Sequence, residues 1–310
     1  MRVSEAFCPA GISSFFEVCN VDSSGDPVGD PARIGSRGGG FAISRGATSR
    51  AIVRKSGETR IKVKINSKPA PGAHTTRSAI EQLLKTQGIT LDVGIEVKVG
   101  SPIAAGFGTS AAGTLASCLA VSDAADITVT MNELGRITHV AEVVNQTGLG
   151  TAAALLTGGF VLVTEPGAPG IGLVDRLLFP RNHSIICAYI GPIPTQGALA
   201  KVEIAARINV SARRTMDAIM QNPTLSTFLA ESRKFGQEAG FETRTVTRLI
   251  SNMIEHGAAG AAQNMIGEAV HGVANDRKVG TIVNAVKRAF PSAKVFAVRL
   301  DNQGVRLLGK

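Results

Sequence analysis

The sequence predicts an α+β protein, and three observations support this fold class. Residues 91–99 alternate apolar and polar side chains, which is the period-2 pattern of a strand with one buried face. A glycine-rich stretch follows, and residues 111–125 then carry no charge before Asp123, as in a buried helix. The last third of the chain predicts a strand, several helices and two further strands, which suits an α+β layer.

The N-terminal residues 1–7 predict a short strand that leads into Cys8-Pro9-Ala10-Gly11. The serine pair that follows, Ser13 and Ser14, suits hydrogen bonds to a substrate and equally suits the cap of a short helix. The residues alone do not decide between these two interpretations.

A loop rich in Asp, Gly and Pro, residues 20–33, leads into Gly35-Ser36-Arg37-Gly38-Gly39-Gly40. Three consecutive glycines are useful in a strand only where another backbone approaches closely. Arg37 is a candidate for binding a substrate carboxylate, because its planar guanidinium can donate to both oxygens. The alternative is a surface arginine in a flexible turn.

Two strands and a helix are predicted to form the walls of the site. Residues 41–54 and 60–65 predict two strands around a Ser56-Gly57 turn. Residues 76–87 predict a helix that Gly88 closes.

The glycine-rich stretch, residues 101–113, joins the predicted strand to the N-terminus of the predicted helix. Gly106 and Gly108 can adopt positive φ and let a ligand approach the backbone. The free N–H groups and the dipole of the helix favour an anion, and the Ser110 hydroxyl could bind a phosphate oxygen or its Mg²⁺. The spacing matches neither a Walker A loop nor a dinucleotide fingerprint. A turn needed only for packing is the alternative.

Thr130-Met131-Asn132-Glu133 has the form of a capping box, and an apolar stripe follows it at helical spacing. Glu142 lies near the end of this helix, before Thr147-Gly148-Leu149-Gly150. Its carboxylate is a candidate ligand for Mg²⁺, which prefers hard oxygens and takes one or two from protein. A solvated surface glutamate is the alternative. His139 lies one turn earlier, where a lone histidine is usually packed.

The second half predicts a separate unit, with a boundary near Arg181 that gives domains 1–181 and 182–310. Residues 158–163 and 185–190 predict strands on either side of this boundary. The stretch 256–262 is glycine- and alanine-rich and predicts helix packing, with a further helix through His271. Residues 294–299 and 305–308 predict a closing hairpin.

Composition excludes several classes of function. The formal net charge is +9, from 33 Lys+Arg against 24 Asp+Glu, but no basic block of five or more occurs and aromatic residues make up 4% of the chain. A nucleic-acid partner is therefore disfavoured. Two uncharged stretches are interrupted by Gly, Ser and Thr, so buried core is favoured over membrane spans, and no signal peptide is evident. The four cysteines match no zinc or disulfide pattern and indicate reduced thiols in a cytoplasmic protein.

Pro102-x-x-x-Gly106-Phe107-Gly108-Thr109-Ser110-Ala111-Ala112 resembles the central phosphate-binding motif of the GHMP kinases. Three further stretches carry this resemblance in the right order. The second and fourth motifs along the chain make it most similar to the archaeal pantoate kinases. The three stretches are Cys8-Pro9-Ala10-Gly11-Ile12-Ser13-Ser14-Phe15-Phe16, Gly35-Ser36-Arg37-Gly38-Gly39-Gly40-Phe41, and His139-x-Ala141-Glu142-Val143 leading to Thr147-Gly148-Leu149-Gly150.

The resemblance implies the GHMP kinase fold, with an N-terminal domain like domain 2 of ribosomal protein S5 and a ferredoxin-like C-terminal domain. It implies an ATP-dependent kinase that phosphorylates the terminal hydroxyl of pantoate, an early step toward coenzyme A in archaea. A homodimer is compatible with it. It implies Mg²⁺ held by Ser110 and Glu142, a substrate bound by Ser13, Ser14, Arg37 and His139, and ATP bound by Pro102, Gly106, Phe107, Gly108, Thr109, Ser110, Ala111 and Ala112.

Thr151 departs from the family pattern, because pantoate kinases carry an aspartate there that is the candidate base for the substrate hydroxyl. A threonine hydroxyl cannot act as a base near neutral pH. Homoserine kinase, in the same superfamily, is thought to work without such a base, so kinase activity stays compatible with Thr151. The alternatives are another GHMP small-molecule kinase, similar to homoserine or mevalonate kinase, or an ATP-binding relative with impaired catalysis.

Overall fold

The computed structural model describes residues 1–191, 202–265 and 267–309, and these residues contain two β-sheets. None of the described helices is both long enough and apolar enough to span a membrane. The larger sheet consists of β1 (Arg2–Cys19), β2 (Gly35–Lys55), β3 (Arg60–Ile65), β4 (Lys68–Pro69), β5 (Leu91–Val99), β6 (Phe160–Glu165), β7 (Leu173–Leu177) and β12 (Arg306–Leu307). The smaller sheet consists of β8 (His183–Gly191), β9 (Gly260–Gln263), β10 (Glu268–Asn275) and β11 (Lys294–Val298).

Helices connect these strands, and threonine caps begin three of them. The Thr130 side chain accepts a hydrogen bond from the backbone N–H of Glu133, as the capping box predicts, and Thr224 and Thr243 cap two later helices. The helices are α1 (His74–Thr86), α2 (Thr109–Ala125), α3 (Met131–Val144), α4 (Thr151–Thr157), α5 (Val202–Gln221), α6 (Leu225–Ala239), α7 (Arg244–Glu255) and α8 (Asp276–Ala289).

The glycine run of β2 leaves no room for side chains against the backbone of β1. Side chains at Gly38 and Gly40 would collide with the backbone of Phe15 and Ile12, where β1 shifts its register between Ser13 and Phe15. The predicted close approach of two backbones is therefore confirmed. The interpretation of the serine pair as a helix cap is wrong, because β1 continues through both serines.

Strand pairing in the larger sheet differs from the predicted hairpin around Ser56-Gly57. β5 lies between β2 and β3, antiparallel to the first and parallel to the second. A parallel pair needs a crossover connection, and α1 supplies it. The turn at residues 56 and 57 therefore joins two strands that are not neighbours.

The smaller sheet has the order β11-β8-β10-β9 with every neighbouring pair antiparallel, which is the ferredoxin-like arrangement. The connection from β8 to β9 contains α5, α6 and α7, and the connection from β10 to β11 contains α8. The predicted helix through His271 is wrong, because residues 260–263 form β9 and residues 268–275 form β10. Small residues are needed there for contact with α6: a Cβ at Gly260 would lie 2.8 Å from Leu229 Cβ. The predicted terminal hairpin is also wrong, because β11 pairs with β8 while β12 pairs with β1.

One aromatic cluster joins the two halves of the chain. Phe15, Phe41 and Phe160 from the larger sheet pack against Phe228 and Phe235 of α6, with ring centroids 4.6 to 6.2 Å apart. The second sheet begins at His183, close to the predicted boundary, but β12 returns to the first sheet. The division into domains 1–181 and 182–310 stays a prediction.

Candidate active site

The glycine loop between β5 and α2 presents free backbone amides. Gly106 has φ +74° and Gly108, the residue before the helix, has φ +56°, both in the left-handed region that glycine tolerates. The first helical hydrogen bond runs from the Ala112 N–H to the Gly108 carbonyl at 3.0 Å. No described residue accepts from the N–H groups of Thr109, Ser110 or Ala111. These three donors and the helix dipole are therefore available to an anion.

Anchoring of the loop comes from Phe107. Its side chain is buried against Phe296, and its carbonyl accepts a hydrogen bond from the Gly11 N–H at 3.0 Å. Ser110, three residues later, is exposed. The predicted ATP-binding residues thus form one continuous loop and first helical turn, fixed at Phe107 and open at Ser110.

The four sequence motifs meet at this loop. A Cβ at Gly108 would lie 2.7 Å from the Thr151 methyl group, and one at Gly11 would lie 3.3 Å from the same methyl. The hydroxyl oxygen of Ser36 would lie 2.9 Å from a Cβ at Gly150. The N-terminus of α4 and the first strand therefore border the N-terminus of α2, and Ser36 of β2 borders Gly150, the residue before α4.

Glu142 is buried, which excludes a solvated surface glutamate. Only 1% of the residue is exposed, and its Oε2 atom has no hydrogen-bond partner among the described residues. Burial raises the pKa of the Glu142 carboxyl to about 8. The carboxylate faces Gly148, where a Cβ would lie 2.8 Å from Oε1. A buried polar atom without a hydrogen-bond partner calls for a specific explanation, and a role as a cation ligand is one.

Threonine pairs from α1 connect the loop that follows Glu142 to α2. The Thr75 hydroxyl lies 3.0 Å from the Thr147 hydroxyl, and the Thr76 hydroxyl lies 2.9 Å from that of Thr114, one turn beyond Ser110. Sequence analysis predicts no chemical role for α1. The structure makes it a support for two sides of the site.

The serine pair of β1 divides into two different environments. Ser14 is fully buried, and its hydroxyl lies 2.9 Å from His271 Nε2. The prediction that Ser14 contacts the substrate is therefore wrong, because its hydroxyl is already bonded inside the protein. Ser13 is partly exposed, and its role toward the substrate stays a prediction.

His139 is fully buried below the start of β2. Its Nε2–H donates to the Ile34 carbonyl at 2.7 Å, and Nδ1 has no partner among the described residues. Burial lowers the pKa of His139, so the ring is neutral at physiological pH. Contact between His139 and a substrate stays a prediction.

The guanidinium of Arg37 is bound within the protein. Its Nη1 donates to Glu17 Oε2 at 3.2 Å and its Nε to the Thr164 carbonyl at 2.9 Å. Glu17 also accepts from Arg213 of α5, at 2.7 Å. Successive strand residues face opposite sides, so Arg37 points away from the face where Ser36 meets Gly150. These contacts compete with the predicted binding of a substrate carboxylate by Arg37, and that assignment stays a prediction.

Residues 264 and 265, which we call the turn after β9, border the glycine loop and were not predicted as part of the site. A Cβ at Gly106 would lie 3.1 Å from the Met265 carbonyl oxygen and 3.2 Å from Asn264 Cβ. Gln263 and Asn264 are two adjacent amides in a run of small apolar residues. These two polar side chains were the signal in the sequence for a site, but the prediction of a helix over this stretch gave them no role.

Comparison with known proteins identifies the family. Residues 74–159 match the model for the GHMP kinases N terminal domain. The pantoate kinase of Methanospirillum hungatei is 31% identical over 247 residues, which cover 78% of this chain and 78% of the relative. The chain belongs to the pantoate kinase family of the GHMP kinases. It is an ATP-dependent small-molecule kinase, as this family and its phosphate donor imply.

Two further comparisons extend over almost the whole kinase. The pantoate kinase of Thermococcus kodakarensis is 25% identical over 303 residues, which cover 95% of this chain and 96% of the relative. A solved structure titled "Phosphotransferase related to CoA biosynthesis pathway" superposes with a TM-score of 0.86 at 22% identity, covering 98% of both chains. The predicted α+β GHMP kinase fold is therefore confirmed.

Two surface cavities lie away from the glycine loop. Their volumes are about 490 and 460 Å³, they border α5 and the space between α1 and α3, and neither includes a residue of the glycine loop. No group of three or more His, Cys, Asp and Glu side chains in the described ranges could hold a metal ion.

Proposed function

We propose that this kinase transfers the terminal phosphoryl group of ATP to the terminal hydroxyl of pantoate and forms 4-phosphopantoate. The observation that carries the proposal is the set of free first-turn amides of α2, which lie beside Gly11 and Thr151. The choice of acceptor rests on the pantoate kinases that match this chain over most of its length. We place the reaction in the cytoplasm, as an early step toward coenzyme A.

The chain's own groups divide the work between phosphates and cation. The amides of Thr109, Ser110 and Ala111 would donate to the phosphate oxygens, and the helix dipole would stabilise their charge. The orphaned oxygen of Glu142 and the free hydroxyl of Ser110 are hard donors that fit Mg²⁺. Magnesium, when bound, would neutralise charge on the triphosphate.

Thr151 cannot remove the proton of the acceptor hydroxyl as a general base. Its methyl group packs between Gly11 and Gly108, and its hydroxyl is no base near neutral pH. General-base help contributes about 10²–10⁴ in rate, but phosphoryl transfer depends mostly on positioning and charge stabilisation. The proposal therefore assigns catalysis to the phosphate-facing groups.

An ADP-release assay with pantoate, homoserine and mevalonate side by side tests the proposal. We expect turnover with pantoate well above the other two, and a product heavier than pantoate by one phosphoryl group. ATP binding without ADP release from any acceptor would favour the impaired relative that Thr151 suggests. Equal background with all three acceptors would contradict the choice of substrate.

Ser110→Ala is the matching variant, with Ser24→Ala in an exposed loop as its control. We expect a loss of turnover of about 10²-fold or more for Ser110→Ala, because a group on the transferring phosphates is removed. Its melting temperature should stay within about 2 °C of the control, since the exposed side chain packs against little. Equal losses of activity and melting temperature would indicate a packing role.

A further inference from the structure

Three fully buried polar side chains form a chain of hydrogen bonds between the two halves of the protein. Ser14 Oγ lies 2.9 Å from His271 Nε2, and His271 Nδ1 lies 2.7 Å from Asn264 Oδ1. Ser14 belongs to β1, His271 to β10, and Asn264 to the turn after β9. We call these residues the buried relay.

Chemistry fixes the direction of each hydrogen bond in the buried relay. Burial lowers the pKa of His271 to about 3, so the imidazole is neutral. The amide oxygen of Asn264 can only accept, so Nδ1 of His271 carries the proton and Nε2 accepts from the Ser14 hydroxyl. All three side chains have 0% exposure, and none of them can reach a ligand.

The far end of the buried relay contacts the glycine loop. The Met265 N–H donates to the Ser13 carbonyl at 3.0 Å, next to Ser14. The Met265 carbonyl oxygen would lie 3.1 Å from a Cβ at Gly106, and a Cβ at Gly267 would lie 3.2 Å from the carbonyl carbon of Ala105. The turn after β9 thus lies against the backbone that holds Gly106 at positive φ.

The buried relay places polar groups where apolar packing would otherwise occur, since its three side chains have no exposed surface. Losing one partner of a buried hydrogen bond costs about 1–3 kcal/mol, because the remaining group is left without a partner. The relay therefore fixes the relative positions of Ser14, His271 and Asn264, since each side chain is bonded to its neighbour.

We propose that Ser14, His271 and Asn264 are positioning residues for nucleotide binding. These side chains hold the turn after β9 against the glycine loop, and so set the direction of the backbone amides that follow this loop. The inference rests on the proposed function, because it assumes that ATP binds at this loop. Loss of the relay should weaken the binding of ATP, because the loop is proposed to bind its phosphates. A residue that only stabilised the core would lower the melting temperature and leave the KM for ATP unchanged.

Ser14→Ala tests the proposal, with Ser49→Ala as the matched control. Ser49 of β2 is also fully buried, and its hydroxyl lies 2.9 Å from that of Ser117 in the middle of α2. Its neighbours Ala47 and Ala51 belong to a core cluster that does not include the glycine loop. We expect both variants to lose stability to a similar extent. We expect Ser14→Ala to raise the KM for ATP about tenfold and Ser49→Ala to change it less than about twofold, because only one lost hydrogen bond bears on the loop.

Asn264→Ala interrupts the same relay at its other end. If the relay acts as a unit, the double variant with Ser14→Ala should show about the same KM for ATP as either single variant. Independent effects that multiply would overturn the proposal. If Ser14→Ala does not fold, Ser14→Cys replaces it, because a thiol donates only weakly and has a similar size.

The readouts separate this inference from the proposed function. If the wild type phosphorylates pantoate but Ser14→Ala and Ser49→Ala share the same KM for ATP, the inference fails alone. If the wild type phosphorylates none of the three acceptors but binds ATP in a calorimeter, the choice of acceptor fails. The dissociation constants for ATP then replace KM in the comparison. If the wild type binds no ATP, both proposals fail.

Discussion

Glu142 combines a structural cost with the proposed role as a cation ligand. Its carboxyl is buried on α3, faces Gly148 and leaves Oε2 without a partner among the described residues. Burial favours the protonated form and therefore opposes the charge that a cation ligand needs. Function and stability make opposite demands on this one residue.

Glu142→Gln should stabilise the metal-free protein while it lowers turnover. The carboxyl has a pKa of about 8 when folded and an ordinary value of 4.5 when unfolded, so between these values the folded state binds more protons. The free energy of unfolding of the wild type therefore decreases as pH rises through this window. We expect the melting-temperature advantage of Glu142→Gln to be larger at pH 8 than at pH 5, measured in a chelating buffer.

Glu133→Gln is the control on the same helix, since this carboxylate is already paired with Arg136 at 3.0 Å. It should show no gain in stability that grows with pH. In the presence of Mg²⁺ and ATP, Glu142→Gln should lose about 10²-fold or more in turnover. An advantage that is the same at both pH values would contradict the burial argument.

Thr151→Val tests whether the threonine hydroxyl takes part in the reaction. Valine keeps the methyl group that packs against Gly108 and Gly11, and it removes only the oxygen. Because that hydroxyl cannot accept the proton near neutral pH, we expect kcat with pantoate to stay within about threefold of the wild type. A loss of 10²-fold, of the order that a general base contributes, would show that the hydroxyl is needed.

The glycine loop leads directly into the first turn of α2. The loop needs positive φ at Gly106 and Gly108 to direct the first amides of the helix outward, and Phe107 between them anchors the backbone in the core. The space in front of Gly108 is limited by Thr151, at the beginning of α4. Two helix N-termini therefore meet where the triphosphate is proposed to bind.

Gly108→Ala should weaken ATP binding more than backbone strain alone predicts. Gly88, after α1, has a similar φ of +63° and nothing within 4 Å of its Cβ position, so Gly88→Ala carries the same strain without a collision. We expect the two variants to lose about 1–2 kcal/mol from strain. Only Gly108→Ala should raise the KM for ATP, by about tenfold or more, because its methyl collides with Thr151. Equal KM values would mean that the loop adapts.

Across the whole molecule, Glu17 connects the larger sheet to the helices of the second half. It is 8% exposed and accepts from Arg37 of β2 and from Arg213 of α5. The arginines are themselves 34% and 58% exposed at their side chains. Solvent therefore screens the pair in part, and its contribution lies between that of exposed and buried ion pairs.

Arg37→Ala should lower stability by about 1–2 kcal/mol and leave the KM for pantoate within about twofold of the wild type, because its guanidinium serves this connection. Arg213→Ala should behave in the same way. The double variant should lose less than the sum, since both arginines share one carboxylate. A tenfold rise in the KM for pantoate at unchanged melting temperature would instead place Arg37 at the acceptor site.

The amino-acid sequence by itself determined the local elements of the site. Alternation predicted β5, the capping box predicted α3, and glycines followed by uncharged residues predicted the phosphate loop and α2, because each signal depends on neighbours a few residues apart. The family resemblance to GHMP kinases rests on the same short stretches.

Tertiary structure alone decided which of these elements meet. It paired β3 with β5 and β12 with β1, bound Arg37 to Glu17, and joined Ser14 to a histidine 257 residues away. Such contacts depend on whether two distant surfaces fit and satisfy each other's polar groups, and a local pattern contains no information about a partner that far along the chain.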